Sequence, residues 1–135
     1  MAEDRIAMPG VTPHLTIREG KGSAAVDFYK AAFGAEETGR HLTDDGKRIM
    51  HSHLLINGGS LMLNDDFPEY TGGVSVPAGV GLHLRVDDAD QWWERALAAG
   101  ATVRMPLDNQ FWGDRYGEVV DPFGHTWTIG GPVKE

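Results

Sequence analysis

The chain carries the same order of structural patterns twice, and this repetition limits its fold more than any other feature. In the first half, an alternating segment at 11–18 is followed by an amphipathic helical pattern at 24–33. Three further strand patterns follow, at 36–42, 48–56 and 60–64. Because a period of two is typical of strands and a period of three to four is typical of helices, this half predicts the order β-α-β-β-β.

The second half repeats that order. A strand pattern at 81–86 leads into a helix at 89–99, and a short strand at 102–105 is followed by a loop at 106–113 and a closing hairpin. The segment 65–79 between the halves is rich in proline, glycine, serine and acidic residues, which is typical of a connecting loop. The pattern therefore indicates an internal duplication of one supersecondary unit.

Four residues at the helix ends fit capping positions. We expect Ser23 and Asp88 to be the N-caps of the two helices, because their side-chain oxygens can accept a hydrogen bond from the first turn. Gly34 and Gly100 stand at the C-terminal ends, where glycine readily adopts a left-handed conformation. The two helices are therefore expected to stop at these glycines.

The closing hairpin is organised around the turn sequence D-P-F-G at 121–124. Asp can hydrogen-bond the backbone ahead of it, Pro fixes φ at the second position, and Gly supplies a positive φ near the end. Strand-forming residues flank this turn at 119–120 and 126–129. We expect His125, beside the turn, to have a structural role in pinning the hairpin.

Several motifs resemble a known family. The sequence E-V-V-D-P-F-G-H-T-W at 118–127 resembles the last hairpin of the vicinal oxygen chelate superfamily, which groups glyoxalases, bleomycin-resistance proteins and dioxygenases. Three further motifs are similar to its PhnB-like branch; they are V-D-F-Y-K-A-A-F-G-A at 26–35, M-H-S-H-L at 50–54 and L-M-L-N-D-D-F-P-E at 61–69. The likeness extends over 11–129, nearly the whole chain.

The resemblance implies a definite architecture. It implies an α+β fold in which two βαβββ modules carry curved mixed sheets that form a cleft. It also implies a single domain over residues 1–135, with module one at 11–65, a connecting loop at 66–79 and module two at 80–131.

The composition argues against several classes of function. The 135 residues carry a formal net charge of −8 and no cluster of Lys or Arg, so nucleic acid is not an expected partner. The absence of cysteine removes disulfides, thiolate chemistry and sulfur ligands for zinc. No apolar run approaches the length of a membrane span and no signal-peptide pattern is present. We therefore expect a soluble, cytoplasmic protein that does not bind membranes.

Strand alternation sorts the side chains onto two faces. The aliphatic face of each strand is expected to look toward a helix; it carries Leu15, Ile17, Met50, Leu54, Ile56, Leu82, Leu84, Val86, Trp127 and Ile129. The opposite, open face is expected to bind a ligand; it carries His14, Thr16, His51, His53, His83, Arg85, Thr126 and Thr128. Four of the six histidines lie on the open face, which favours a site for a metal, an anion or a polar small molecule. The alternative for any one of them is a hydrogen-bonded or solvent-facing sheet residue, and His41 is expected at the surface.

A second candidate group precedes the closing hairpin. Trp112, Arg115 and Tyr116 lie in a glycine-rich segment. This segment fits a mobile lid, a direct ligand contact or a well-packed loop. We retain Trp112, Arg115 and Tyr116 as ligand-binding candidates.

The aromatic residues also bear on oligomeric state. Trp92 and Trp93 are adjacent on the second helix and cannot both face the core, so one of them is expected to look toward a partner subunit. Many members of the superfamily complete their cleft from two chains, and the resemblance therefore implies a homodimer. We expect exposed Trp93 and Phe111 to suit its interface.

The resemblance raises the question of whether this protein binds a divalent metal as a cofactor. Metal-dependent members of the superfamily resemble one another in using a ligand on the first strand of each module and a carboxylate or histidine on the last. His14 stands at the first of these positions, but L-M-L at 61–63, Gly81 and Thr128 stand at the others. His83 lies one repeat beyond Gly81. Because a divalent metal needs several donors at about 2 Å, the glyoxalase metal site is expected to be absent, and His14 is its one candidate ligand. A different divalent-metal site built from His14, His51, His53 or His83 stays open as an alternative.

Three functions from different classes fit the sequence. The first is a small-molecule-binding protein of the bleomycin-resistance type, with its ligand held in the sheet cleft. The second is a metal-dependent lyase, isomerase or dioxygenase with an altered metal site, in which Glu118 is the candidate catalytic acid or base. The third is a non-catalytic scaffold dimer. We predict the first, because the family metal positions are lost and the segment before the closing hairpin is rich in aromatic residues.

Overall fold

The chain folds into two compact units. The computed structural model describes residues 7, 9–73 and 76–135. The first unit holds the chain up to Lys30 and Gly34–Val76, and the second holds Ala31–Phe33 and Pro77–Glu135. The elements of the first half are β1 His14–Ile17, α1 Gly22–Phe33, β2 Glu36–Leu42, β3 Ile49–Ile56, β4 Gly59–Asp65 and α2 Pro68–Thr71. Those of the second half are β5 Gly81–Arg85, α3 Ala89–Ala99, β6 Thr102–Asn109, β7 Asp114–Val120 and β8 Thr126–Pro132.

Each unit contains one four-stranded mixed sheet. The strand order is β1-β4-β3-β2 in the first sheet and β5-β8-β7-β6 in the second. β1 runs parallel to β4 and β5 runs parallel to β8, and the other neighbouring strands are antiparallel. The predicted α+β fold with a repeated βαβββ order is therefore confirmed. None of the helices in the described residues is long and apolar enough to cross a bilayer.

One face of each sheet is buried, largely as the alternation predicted. Its buried residues include Ile17, Leu54, Leu63, Leu84, Trp127 and Ile129. The prediction is wrong for Met50, which is 58% exposed, whereas the neighbouring Ile49 is completely buried. The pairing of β2 with β3 shifts register between His41 and Leu42, and this irregularity reverses the alternation at the start of β3.

The N-terminus of α1 also differs from the prediction. The helix begins at Gly22, so Ser23 lies inside it and is not the N-cap. Instead, the buried Asp65 carboxylate at the end of β4 accepts hydrogen bonds from the backbone N–H of Gly22 at 2.7 Å and of Ile49 at 2.6 Å. A Cβ on Gly22 would lie 2.7 Å from this carboxylate. The helix is therefore capped from a distant strand, and glycine leaves the room for it.

The other predicted caps are confirmed. The Asp88 side chain accepts a hydrogen bond from the backbone N–H of Gln91 at 3.1 Å. Gly34 and Gly100 follow α1 and α3 with positive φ angles of 67° and 123°. Both helices therefore end where the sequence predicts.

Two segments expected to be loops contain regular structure. The short helix α2 lies within the connecting segment, and β6 extends through residue 109. The loop predicted at 106–113 is therefore wrong over its first four residues. Pro106 is tolerated within β6 because this strand lies at the edge of its sheet and shifts register against β7 between Met105 and Asp108.

The turn between β7 and β8 forms as predicted, with Asp121 at its centre. One oxygen of this buried carboxylate accepts hydrogen bonds from the backbone N–H of Phe123 at 2.9 Å and of His125 at 3.0 Å. The other oxygen accepts a hydrogen bond from the indole N–H of Trp127 at 2.9 Å. Gly124 has a φ of 94° and donates its N–H to the Asp121 carbonyl. His125 contributes to this turn through its backbone groups.

Trp93 is buried, which corrects the expectation that it is exposed at an interface. Its side chain is 8% exposed and packs over Gly117 in β7. A Cβ at Gly117 would lie 2.6 Å from the indole, so the missing side chain makes room for the ring. Trp92 is partly exposed on α3, and Phe111 is 96% exposed.

Candidate functional site

The open face of the first sheet brings several of the predicted site histidines together. His14 on β1 and His53 on β3 both pair with Met62 of β4, which lies between them. The ring centroids of His14 and His51 are 6.2 Å apart in an edge-to-face arrangement. Thr16, one repeat along from His14, is partly exposed on the same strand. This face is therefore lined by imidazole rings with a thioether between them.

Both ring nitrogens of His53 are engaged within the sheet. Nδ1 lies 2.6 Å from the Thr38 hydroxyl on β2, and Nε2 lies 2.9 Å from the Ser60 hydroxyl on β4. A histidine held at both nitrogens joins three strands but has no lone pair ready for a metal. His53 is therefore placed as a polar cross-link of the sheet.

His51 is disfavoured in its charged form. Burial lowers its pKa from the ordinary 6.5, and the neighbouring His14, His41 and His53 lower it further by electrostatic repulsion. His41 is exposed, as expected, and it is the direct strand partner of His51. At neutral pH the face therefore carries His51 as an uncharged imidazole.

The donors available do not fit the metal site of glyoxalases. His14 has Met62 as its neighbour on the last strand of its unit, and His83 has Thr128. A thioether and an aliphatic hydroxyl are poor ligands for the divalent ions that such sites hold. Gly81 pairs with Thr126 and offers no side chain. Among the described residues, no three His, Asp or Glu side chains are grouped so that they could hold a metal ion.

The open face of the second sheet is organised around His83. Its Nδ1 lies 2.7 Å from the hydroxyl of Thr128 on the adjacent strand β8. Its ring stacks on Tyr116 of β7, with centroids 5.8 Å apart and an interplanar angle of 23°. The ring lies over Gly130, where a Cβ would be 2.8 Å from the imidazole. His83 is therefore held by a hydroxyl and an aromatic ring, and the absence of a side chain at Gly130 leaves room for its imidazole.

An aromatic row continues from His83 toward the turn before β7. The Tyr116 and Trp112 centroids are 5.4 Å apart, and those of Trp112 and Phe111 are 5.0 Å apart, both edge-to-face. Trp112 is 48% exposed and Phe111 is almost fully exposed. We call His83, Tyr116, Trp112 and Phe111 the aromatic row. Its outer end presents π surface to solvent.

Charged pairs flank the aromatic row on the same sheet. Arg85 on β5 donates to the Asp114 carboxylate on β7 at 2.9 Å. Arg104 on β6 lies 2.9 Å from the Glu118 carboxylate and donates to the Thr126 hydroxyl at 3.3 Å. Glu118, the candidate acid or base, is therefore held in an ion pair.

Arg115 points away from this face. Its guanidinium makes two hydrogen bonds to the Asp90 carboxylate of α3, at 2.8 and 2.9 Å. These bonds lower the pKa of the Asp90 carboxyl. The structure therefore separates Arg115 from Trp112 and Tyr116, with which the sequence grouped it, and assigns it a contact between strand and helix.

Some members of this face were not recognised from the sequence. Asp114 shares its alternation with Tyr116 and Glu118, so strand parity could have placed it there. Arg104 lies where the β6–β7 register shifts between Val103 and Met105, and parity fails at such an irregularity. The role of Gly130 depends on a ring from another strand, which no local pattern reveals.

These features and the fold agree with one family. The sequence profile of the Glyoxalase/Bleomycin resistance protein/Dioxygenase superfamily matches residues 12–129. The match covers most of the chain, and the protein therefore belongs to this superfamily. The resemblance drawn from the sequence motifs is confirmed.

Individual relatives are found in several bacteria. The chain is 49% identical to protein Rv0887c of Mycobacterium tuberculosis over 133 residues, which cover 94% of this chain and 76% of the relative. The crystal structure of PA1353 from Pseudomonas aeruginosa superposes with a TM-score of 0.74 at 26% identity, covering 94% of this chain and 100% of that one. The PhnB protein from Bacillus cereus has the same fold, with a TM-score of 0.71 at 21% identity and coverage of 93% and 100%.

Proposed function

We propose that this protein binds a small molecule with a planar, unsaturated ring on the open face of its second sheet. The observation that carries the proposal is the aromatic row, whose rings support one another while Trp112 and Phe111 remain exposed. Exposed aromatic rings held in fixed contact form a stacking surface that loses little conformational freedom on binding. Such a surface favours flat ligands over flexible aliphatic ones.

The polar groups beside the row give the ligand an orientation. The Thr128 hydroxyl occupies Nδ1 of His83, which leaves Nε2 to exchange a hydrogen bond with a ligand. The Arg85–Asp114 pair on the same sheet offers both a donor and an acceptor. A ring carrying a carbonyl, hydroxyl or ring nitrogen is the chemistry that these groups recognise.

The test is a binding screen with defined flat compounds. Quinoline, indole and flavone derivatives, each with a saturated counterpart, would be titrated by calorimetry into the wild type and into Trp112→Ala. We expect an unsaturated compound to bind, and Trp112→Ala to weaken it about tenfold because a ring–ring contact is lost.

The matched control is Trp92→Phe, which alters a tryptophan on α3 and is expected to keep the dissociation constant within about twofold. Equal binding by Trp112→Ala and wild type, or equal binding of the saturated counterparts, would contradict the proposal.

Acid–base catalysis is a second candidate function, favoured by one observation. His83 is held through Nδ1, and the strand partner of Thr128 on β7 is Glu118. An imidazole on β5 and a carboxylate on β7 thus lie on one face, with Thr128 of β8 between them. Chemical conversion of a bound compound by the wild type, lost in His83→Gln with binding retained, would identify an enzyme.

A homodimer belongs to the same proposal. The exposed Phe111 ring is the kind of apolar surface that protein interfaces cover. Analytical ultracentrifugation of the wild type and of Phe111→Ser tests it. We expect the wild type to sediment as a dimer and Phe111→Ser to dissociate more readily, and a monomeric wild type would contradict the expectation.

A further inference from the structure

The first unit contains a cavity that the predicted site does not include. It has a volume of about 790 Å³ and lies among the turn between β2 and β3, the strands β3 and β4, and the helix α2. Its lining includes Asp44, Asp45, Arg48, Met50, Phe67 and Tyr70. A cavity of this size holds a drug-sized molecule. Asn64, which is paired with Thr16, also lines it, so the cavity adjoins the open face of the first sheet.

One wall of the cavity is apolar and aromatic. The ring centroids of Phe67 and Tyr70 are 6.4 Å apart. Tyr70 is 84% exposed and Met50 is 58% exposed, although both are large apolar side chains. The irregularity of β3 that turned Met50 outward thus adds it to this wall. A ligand that covers these three side chains removes apolar surface from water.

The charge of the lining is negative. Asp44 and Asp45 belong to the hairpin turn, and the Thr43 hydroxyl and the Lys47 N–H hydrogen-bond to Asp45 and lower its pKa. The Arg48 guanidinium is matched by Glu69, with hydrogen bonds of 3.1 and 2.6 Å. The lining therefore holds two turn carboxylates and one guanidinium. Lys47 and Arg48 also attract the Asp45 carboxylate, but Arg48 is paired with Glu69, so the charge around the cavity stays negative.

Phe67 already shows which charge its ring accepts. The Arg48 guanidinium carbon lies 4.3 Å from the Phe67 ring centroid, which is cation–π geometry. Aromatic faces attract cations and repel anions, and the adjacent carboxylates act in the same direction.

We propose that this cavity binds an amphipathic organic cation, with its ammonium group at the Asp44–Asp45 turn and its apolar part against Met50, Phe67 and Tyr70. The site is distinct from the aromatic row and does not depend on the function proposed there. An anion of the same shape would bring its negative charge to the two turn carboxylates, which repel it.

Solution NMR with two matched probes tests the proposal. Phenethylammonium and 3-phenylpropionate have similar shape and opposite charge, and each would be titrated into the ¹⁵N-labelled protein at low and high salt. We expect the cation to shift amide signals of residues 43–50 and 64–71 and to bind more weakly at high salt. The anion is expected to leave these signals unchanged.

Two variants and one control locate the contacts. Asp44→Asn removes one carboxylate of the turn, and we expect it to weaken the cation about threefold to fivefold. Tyr70→Ala removes an exposed ring that covers the apolar part of the ligand, and we expect a loss of about the same size. Glu94→Gln removes one exposed negative charge from α3 and is expected to leave the dissociation constant unchanged, although it alters the net charge equally.

The proposal is overturned by any of three results. The first is equal binding of the cation and the anion, and the second is signal shifts confined to residues outside 43–50 and 64–71. The third is an Asp44→Asn dissociation constant equal to that of Glu94→Gln, which would make the attraction a property of net charge. Because Tyr70 and Asp44 are exposed, the amide spectrum of each variant verifies that it is folded before titration.

Discussion

Gly117 in β7 leaves the room that the buried Trp93 side chain of α3 needs. The Trp93 indole fills the space where a Cβ would stand, and the Leu107 Cα lies 2.8 Å from the same point. Neither neighbour can move away easily, because the ring is buried and the second atom belongs to the backbone of β6.

We therefore expect Gly117→Ala to lower the free energy of unfolding by about 2–3 kcal/mol through overpacking. Urea denaturation measures it. Gly39→Ala is the matched control, since nothing lies within 4 Å of a Cβ at Gly39 in β2, and it should change stability by less than about 0.5 kcal/mol. Equal stability of the two variants would show that the Trp93 contact is not tight.

His51 links the first sheet to pH. Its pKa in the folded protein is lowered by burial and then by the nearby histidines, so the unfolded chain binds a proton more readily. The corresponding stabilisation is complete above pH 6.5 and is lost as the pH falls from there through the lowered pKa.

We expect the midpoint of urea denaturation to decrease between pH 7.5 and 5.5, and His51→Gln to make this decrease shallower because the variant has no imidazole at this position. His125→Gln provides a comparison with a histidine at the β7–β8 turn. A slope identical in wild type and His51→Gln would contradict the assignment.

At the scale of elements, alternation and turn chemistry account for most of what the sequence predicted. The turn at 121–124 and the cap at Asp88 depend on contacts within a few residues, so local sequence specifies them. The cap of α1 comes from Asp65, 43 residues away from Gly22, and no local pattern contains it. Parity also failed at Met50, because a register irregularity changes which face a side chain takes.

The Arg115–Asp90 contact between β7 and α3 is expected to contribute to stability and not to ligand binding. The Arg115 and Asp90 side chains are 18% and 23% exposed, and their two hydrogen bonds form a bidentate pair. We expect Arg115→Gln to lower the free energy of unfolding by about 1 kcal/mol and to leave the binding of a flat ligand unchanged.

Arg85→Gln should weaken the binding of a flat ligand and leave the free energy of unfolding nearly unchanged. The reason is that its ion pair with Asp114 is more exposed and lies on the open face. Urea denaturation and calorimetry on both variants measure the two effects. Weakened ligand binding in Arg115→Gln at full stability would restore Arg115 to the site that the sequence suggested.

At the scale of the whole molecule, two sheets of one topology carry different chemistry. β1 pairs with β4 as β5 pairs with β8, yet the partner of His14 is Met62 and the partner of His83 is Thr128. The repeated order of elements could be predicted, because hydrophobic period survives when individual residues change. The side chains that define the aromatic row and the cavity could not, since their grouping depends on pairing across strands and on α2.

The parallel pairing of first and last strands also sets an order for synthesis on the ribosome. The first sheet has all its strands once residue 65 has emerged, so it can close while the second half is still being made. In the second sheet, β5 acquires its partner only when β8 at 126–132 arrives, although β6 and β7 can already pair with each other. Until then the edge of β5 that β8 will cover is open to other chains, and its protection depends on how soon β8 is synthesised.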